Sequence, residues 1–337
     1  MDFQLHESYT EVDPLEWNSL LDEAITNTPF QRHEYQSGWW KTLGGGEWKD
    51  GRLVLVTARQ ADRLLGIAPL FLAEHENRPA LLLTGSIEIS DYLDLIIPST
   101  DVELFVSGLL DYLHISFPGE WGLLDWYNIP EDSPTLPALL TESQKRGWTY
   151  KVESFRPTPY IPLQSDFEVY LAGLDKKQRH EIRRKLRRIE EAGNQVSWHI
   201  SDGTRLEEDI STFLDLMGND ADKLRFLTPA MRSQMSGLIR TAHAQGWLWL
   251  AFLEINGRKA AAALNFDYQG KIWGYNSGAH NNFLELSPGW VLLSHCLKWA
   301  IENGRTEFDF LRGDESYKYR FGAMKRQVMR VRVDRAR

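Results

Sequence analysis

One stretch of this chain is written twice. Leu53 to Ala73, LVLVTARQADRLLGIAPLFLA, runs without gaps against Leu248 to Tyr268, LWLAFLEINGRKAAAALNFDY, 195 residues further on. Each copy reads as strand, tight turn and strand. The turns fall at Ala61-Asp62 and Asn256-Gly257, and the second is a strong hairpin signal because Asn and Gly both accept positive φ. A second match follows in the same order: helix Val102 to Ser116 with GLLDWYNIP, against helix Trp290 to Asn303 with TEFDFLRGD, which sets Asp125 beside Asp309. Two matched segments in one order point to a duplicated α/β unit, although hairpins resemble each other generically.

Within each unit the pattern predicts a strand, one or two helices, a meander of about three strands, a helix, a strand, a short helix and a last strand. Helices are expected at Asp13 to Thr26, Gln36 to Leu43, Pro134 to Arg146, Arg205 to Met217 and Pro229 to Gln245. Strands of the second unit are expected at Gln195 to Ile200, Leu248 to Ile255, Lys259 to Asp267, Ile272 to Ser277, Glu307 to Leu311 and Gln327 to Asp334. A meander followed by one crossover helix gives a mixed, mostly antiparallel sheet flanked by helices, an α+β or mixed α/β fold. The expected division is residues 1–160, a basic linker helix at 161–193, and a second domain at 194–337.

The chain's 337 residues, 42% of them hydrophobic with 13 Trp, suffice for a large core in two domains. Its longest apolar runs, such as Leu64 to Ala73, are too short to span a bilayer, and no leader pattern opens it, so a cytoplasmic location is expected. A single cysteine, Cys296, excludes an internal disulfide and a thiolate metal cluster. The net charge of -9 is unevenly spread: residues 1–160 hold 25 acidic and 11 basic side chains, residues 161–337 hold 22 and 27. The second half therefore favours anionic ligands. Its most basic segment, Lys176 to Arg188, carries eight Lys or Arg and one acid, while Phe167, Leu171, Leu174, Ile182, Leu186 and Ile189 keep helical spacing. It reads either as a solvated amphipathic helix between domains or as a polyanion contact.

Four segments carry a family resemblance: SDYLDLIIP at Ser90 to Pro98, the stretch Phe167 to Gly193, SPGWVLLSHCLKWAIENG, and FDFLRGDESYKYRFGA ending at Ala323. They resemble the CelD/BcsL-type members of the GNAT acyltransferases, relatives of the Fem transferases that build peptidoglycan cross-bridges. The likeness runs from about Thr28 to Ala323. It implies two tandem GNAT-like folds joined by a basic helix, and acyl transfer to an amine or hydroxyl.

Such transfer needs a place for the donor's phosphates, a hydrogen-bond donor for the developing oxyanion and a base. For the phosphates, the helix start at Ser287, Pro288, Gly289 and Trp290 offers unpaired amides and the positive end of a dipole. Ser-Pro-Gly departs from the usual Gln/Arg-x-x-Gly-x-Gly/Ala pattern, and an ordinary capped helix start explains it as well. For the proton, Asp314 and Glu315 after Gly313 are the candidates, with Glu285 a weaker one; the plain alternative is a helix cap. Arg312, Lys318 and Arg320 either clamp an anionic ligand or pair with these acids. Tyr275 and Asn276 are placed to orient substrate, and Asp91 and Tyr92 hold the matching place in the first unit. In tandem relatives the first unit often helps bind the acceptor while the second binds the donor.

Other constellations fail. Cys296 and His295 are helix neighbours and point apart. The nine His show no metal-binding spacing, and neither a Gly-x-Ser-x-Gly elbow nor a phosphate-binding Gly-x-x-x-x-Gly-Lys occurs. Three functions follow: an acyl-CoA-dependent transferase acting on an amino sugar, nucleotide sugar or other polysaccharide or cell-envelope precursor, without a metal; a Fem-like transferase using aminoacyl-tRNA, contacted through Lys176 to Arg188; and a non-catalytic binding protein that keeps the fold.

Overall fold

The computed structural model describes residues 1–48, 50–191, 193 and 195–335. Ala192 and Asn194, at the expected end of the linker, and Ala336 and Arg337 lie outside the described residues. Two compact units emerge. Unit 1 is Met1–Pro157 together with Gln327–Arg337, and unit 2 is Thr158–Arg326.

Unit 1 runs β1 (Asp2–His6), α1 (Pro14–Asp22), α2 (His33–Gly46), β2 (Arg52–Gln60), β3 (Arg63–His75), β4 (Arg78–Leu83), α3 (Val102–Ser116), β5 (Leu123–Pro130), α4 (Thr135–Lys145) and β6 (Thr149–Pro157). Unit 2 runs β7 (Tyr160–Pro162), α5 (Phe167–Gly173), α6 (Lys176–Glu191), β8 (Val196–Ile200), α7 (Leu206–Met217), α8 (Ala221–Phe226), α9 (Pro229–Ala244), β9 (Leu248–Ile255), β10 (Arg258–Tyr268), β11 (Lys271–Ala279), α10 (Pro288–Glu302), β12 (Glu307–Asp309) and α11 (Ser316–Arg320). The last strand, β13 (Gln327–Asp334), returns to unit 1.

The two sheets repeat one plan. The first is ordered β1-β2-β3-β4-β5-β13-β6 and the second β7-β12-β11-β10-β9-β8. In each, an antiparallel meander ends in a single parallel pair, β4 with β5 and β11 with β12. The helix between the paired strands is apolar on its sheet side: Val291, Leu292, Cys296, Leu297, Ala300 and Ile301 of α10 are buried, each larger one contributing about 1.5–3 kcal/mol. Gly304, at φ +69°, lets the chain leave that helix.

Two expectations are corrected. Gln327–Asp334 is a strand, but it lies between β5 and β6 of the first sheet and not in the second; β7 takes the place beside β12. The cause is electrostatic as well as apolar: Arg330 of β13 donates two hydrogen bonds (2.8 and 2.6 Å) to Asp125, a fully buried carboxylate that needs a counter-charge. Glu76 pairs with Arg330 and Arg332, and His75 lies 3.5 Å from Asp125, so these two guanidiniums answer the group His75, Glu76 and Asp125. Asp309, the matched residue of unit 2, is equally buried and paired with Arg326.

The basic linker is two helices and not one, and both belong to unit 2. α5 ends at Gly173 with Leu174 extended, and Asp175 starts α6, its carboxylate accepting from the Lys177 and Gln178 amides. Ile182 and Ile189 are buried in the unit 2 core with Leu186 packed against it. Burial of that apolar stripe binds the helix to its own unit.

Candidate active site in unit 2

The parallel pairing of β11 with β12 stops at Trp273 and Asp309. Beyond it the strands part, because Leu311 adopts φ +56° and Gly313 φ +121°, turning the chain away from the sheet. From Gly274 to Ala279, β11 keeps β10 on one side and lines a cavity of about 880 Å³. The cavity passes the strand edge from the α10 face, with Gly289, Trp290, Leu292 and Cys296, to the α7–α8 side, with Leu216, Asn219 and Lys223. Gly278 permits this closeness: a Cβ there would stand 2.3 Å from the Met217 nitrogen at the end of α7.

An open strand edge presents backbone donors and acceptors that a ligand amide can pair with. At Ser277 both are already answered by side chains. The Ser277 N–H donates to Asn276 Oδ1 (2.9 Å), and its carbonyl accepts from Lys223 Nζ (2.6 Å). A carboxamide oxygen and an ammonium thus supply the pair of contacts that an amide ligand would offer. Lys223 escaped the sequence reading because it sits on a short helix with no buried residue. Desolvation holds its amine below the usual lysine range, opposed by Asp220 and Glu315. Tyr275 falls where the β10–β11 register shifts, a bulge that re-aims its side chain, and its ring packs tilted against Phe266, 5.2 Å between centroids.

The two sites expected from sequence, the start of α10 and the turn after β12, meet in this one cavity. Gly289, Trp290, Arg312, Glu315, Tyr317, Lys318, Tyr275 and Asn276 all line it. Ser287 and Asp314 are not among its lining residues. Ser287 is left-handed (φ 55°) and makes no side-chain cap, while the Trp290 and Val291 amides turn back onto its carbonyl. At Gly289 nothing lies within 4 Å of where a Cβ would stand, so this start of the helix is open to a ligand. Lys185 of α6 adds positive charge beside it, 3.9 Å above the Trp290 ring.

Around the turn the acids and bases separate into roles. Lys318 is buried, its ammonium 3.2, 3.5, 3.0 and 3.1 Å from the Phe310, Leu311, Arg312 and Gly313 carbonyls and 2.9 Å from Glu315. Three protons shared among five acceptors make it the strut of the loop and leave nothing for an anion. Asp314 accepts the Tyr319 hydroxyl and is exposed. Glu315 lines the cavity with its carboxylate about half exposed, and burial together with the Glu315 charge raises the Tyr317 phenol well above its ordinary range. The Glu315 carboxylate and the Tyr317 phenol thus line the same space.

In unit 1 the corresponding place is filled by the chain itself. Past β4, the Asn128 amide at the end of β5 donates to the Ile87 and Ser90 carbonyls (3.2 and 2.9 Å), and Leu93 N–H donates to the Asn128 carbonyl (3.0 Å). Asp91 and Tyr92 lie in this plug and are buried, at 5% and 4% exposure. Neither is among the residues that line the unit 2 cavity.

Residues 176–319 match the acetyltransferase (GNAT) domain. Solved structures extend the likeness to the whole chain. FemX aligns with 98% of this chain and 97% of its own at TM-score 0.69 and 13% identity. L-PGS from Bacillus licheniformis aligns over 96% and 92% at 0.58 and 14%, and the tandem GNAT protein of the clavulanic acid pathway over 98% and 97% at 0.51 and 11%. No curated protein sequence gives a significant match. The chain is a mixed α/β protein of two sheets; residues 176–319 are similar to the acetyltransferase (GNAT) domain, and over its whole length the fold is like that of the tandem GNAT protein. Among the described residues no helix is long and apolar enough to cross a membrane.

Proposed function

We propose that the protein is a direct acyltransferase with its donor site in unit 2. The observation that carries this reading is the open edge of β11 inside a cavity that reaches both sides of the sheet. A donor thioester lies along that edge, its amides replacing Asn276 Oδ1 and Lys223 Nζ at Ser277, and its phosphates lie toward Gly289 and Lys185. The acceptor enters from the α8 side. Its amine or hydroxyl attacks the thioester carbonyl, a C–N or C–O bond forms as the C–S bond breaks, Glu315 takes the acceptor's proton, and Tyr317 returns one to the leaving thiolate.

Acyl-CoA is the donor this geometry suits best, and a saccharide or cell-envelope precursor of the CelD/BcsL kind is the acceptor class. A second reading, transfer from aminoacyl-tRNA, draws on the FemX likeness and on α6, where Arg183 and Arg184 have carboxylate partners while Lys176, Lys177, Arg187 and Arg188 form no ion pair among the described residues. Thermal melting of the purified protein with CoA, acetyl-CoA and tRNA separates the two. A rise with CoA that survives reversal of Arg187 and Arg188 to Glu supports the first reading. A rise with tRNA alone, falling steeply with salt and abolished by the reversal, supports the second.

A further inference from the structure

The α10 end of the cavity is apolar but for one group. Ala263, Leu292, Cys296 and Phe308 line it, and among them sits Asn265, 3% exposed. Asn265 lies on β10 where the register with β11 shifts, across from Trp249 on β9. Its amide nitrogen donates to the Trp249 and Ala263 carbonyls (3.4 and 3.3 Å). That use of the nitrogen assigns the amide's orientation and leaves the oxygen as the free acceptor. No partner for that oxygen occurs among the described residues, and a Cβ on Gly274, itself a lining residue, would stand 3.5 Å from it. Lys318, the other buried polar lining residue, is saturated by carbonyls and Glu315.

The oxygen faces the cavity, so a ligand that covers it without a donor strips its water and leaves it unpaired, a cost that a ligand bearing a donor avoids. An alkyl chain in this apolar end would cover the Asn265 oxygen without pairing it. A chain bearing O–H or N–H would pair it. Sites built in this way reject the analogue that lacks the polar group more strongly than apolar pockets reject an extra methylene. We propose that Asn265 is a specificity-determining residue which selects an acyl group carrying a hydrogen-bond donor, a hydroxyl or amino substituent, over the plain acyl chain of equal length. The inference rests on the acyl-transfer reading above. Gly274 is its accomplice, because a methyl there would also stand 3.1 Å from the Phe308 ring and occupy the space the substituent needs.

The test uses the full chain and calorimetric binding of CoA, butyryl-CoA, 3-hydroxybutyryl-CoA and β-alanyl-CoA, so no acceptor is required. The wild type should bind the hydroxyacyl or the aminoacyl thioester about tenfold or more tighter than butyryl-CoA, the size of one buried hydrogen bond, and the two arms tell which donor group is meant. Asn265→Leu, nearly the same size, should erase that ratio, with the substituted thioesters falling to the affinity of butyryl-CoA. If Asn265→Leu does not fold, Gly274→Ala decides: it should weaken the substituted thioester by a larger factor than butyryl-CoA, so that the ratio between them falls. Equal binding of plain and substituted chains by the wild type, or a ratio unmoved in the variants, overturns the role of Asn265 and leaves the transferase reading standing. Failure of every CoA compound to bind overturns both.

Discussion

Asp94 is 1% exposed, and its carboxylate accepts from Ser133 Oγ (2.6 Å), Thr135 Oγ1 (2.6 Å), Thr26 Oγ1 (3.0 Å) and the Leu95 N–H (2.8 Å). These four bonds favour the charged form, yet burial outweighs them and lifts the pKa from 3.8 to about 6. A carboxyl whose folded pKa is raised stabilises the fold below the unfolded pKa and loses that contribution as pH rises through the folded one. A shift of about 2 units corresponds to about 3 kcal/mol, of which about 2 kcal/mol disappears between pH 4.5 and 7.5. Asp94→Asn removes the titration while the three hydroxyls rotate to suit the amide. Urea unfolding of both proteins at pH 4.5, 6 and 7.5 should show the variant gaining on the wild type by about 2 kcal/mol from the lowest pH to the highest. A difference that stays flat, or that runs the other way, would show that the hydroxyls and not burial govern this group.

At the cavity, Glu315→Gln should lower turnover at least about 100-fold with little change in CoA affinity, the range of a positioned base, whereas Asp314→Asn should leave both near wild type because that carboxylate faces Tyr319. Equal losses in steady-state assays of the two variants would remove the distinction. Lys318→Met should cost about 3 kcal/mol in denaturant unfolding and weaken donor binding, since four carbonyls lose their shared donor. Unchanged stability would mean that the 310–313 turn does not depend on that ammonium.

The repeat, the mixed sheet and the helix starts were legible because they rest on local periodicity and on capping residues. Gln327–Asp334 shows why the rest was not. Its alternation QVMRVRVD suits any half-buried strand, and which sheet receives it is decided by Arg330 meeting the buried Asp125, a contact between residues far apart in sequence. The turn after β12 was found, but Asp314 and Glu315 could not be told apart, since adjacent positions differ only in the direction the turn gives them. Asn265 had no signal at all: an Asn in AALNFDY gains meaning only from the bulge and the cavity beside it. The break at Asp175 could have been read, as Asp before KKQ is a capping position inside an otherwise continuous apolar stripe.

The placement of β13 makes the two units unequal as fragments. Residues 158–326 contain every strand of the second sheet, so they should fold alone and melt cooperatively. Residues 1–157 lack the strand that joins β6 to β5, and without Arg330 and Arg332 they leave Asp125 without its guanidinium partners, with only His75 beside it. Breaking such a pair costs about 3–5 kcal/mol, a large share of the 5–15 kcal/mol that holds a domain together, before the lost strand pairing is counted. The 1–157 fragment should therefore stay unfolded by circular dichroism, and a peptide of residues 327–335 added in trans should restore its structure. The same peptide with Arg330→Met should not, because it rebuilds the strand but not the counter-charge. Folding of 1–157 without any peptide would show that β13 covers an edge already stable by itself.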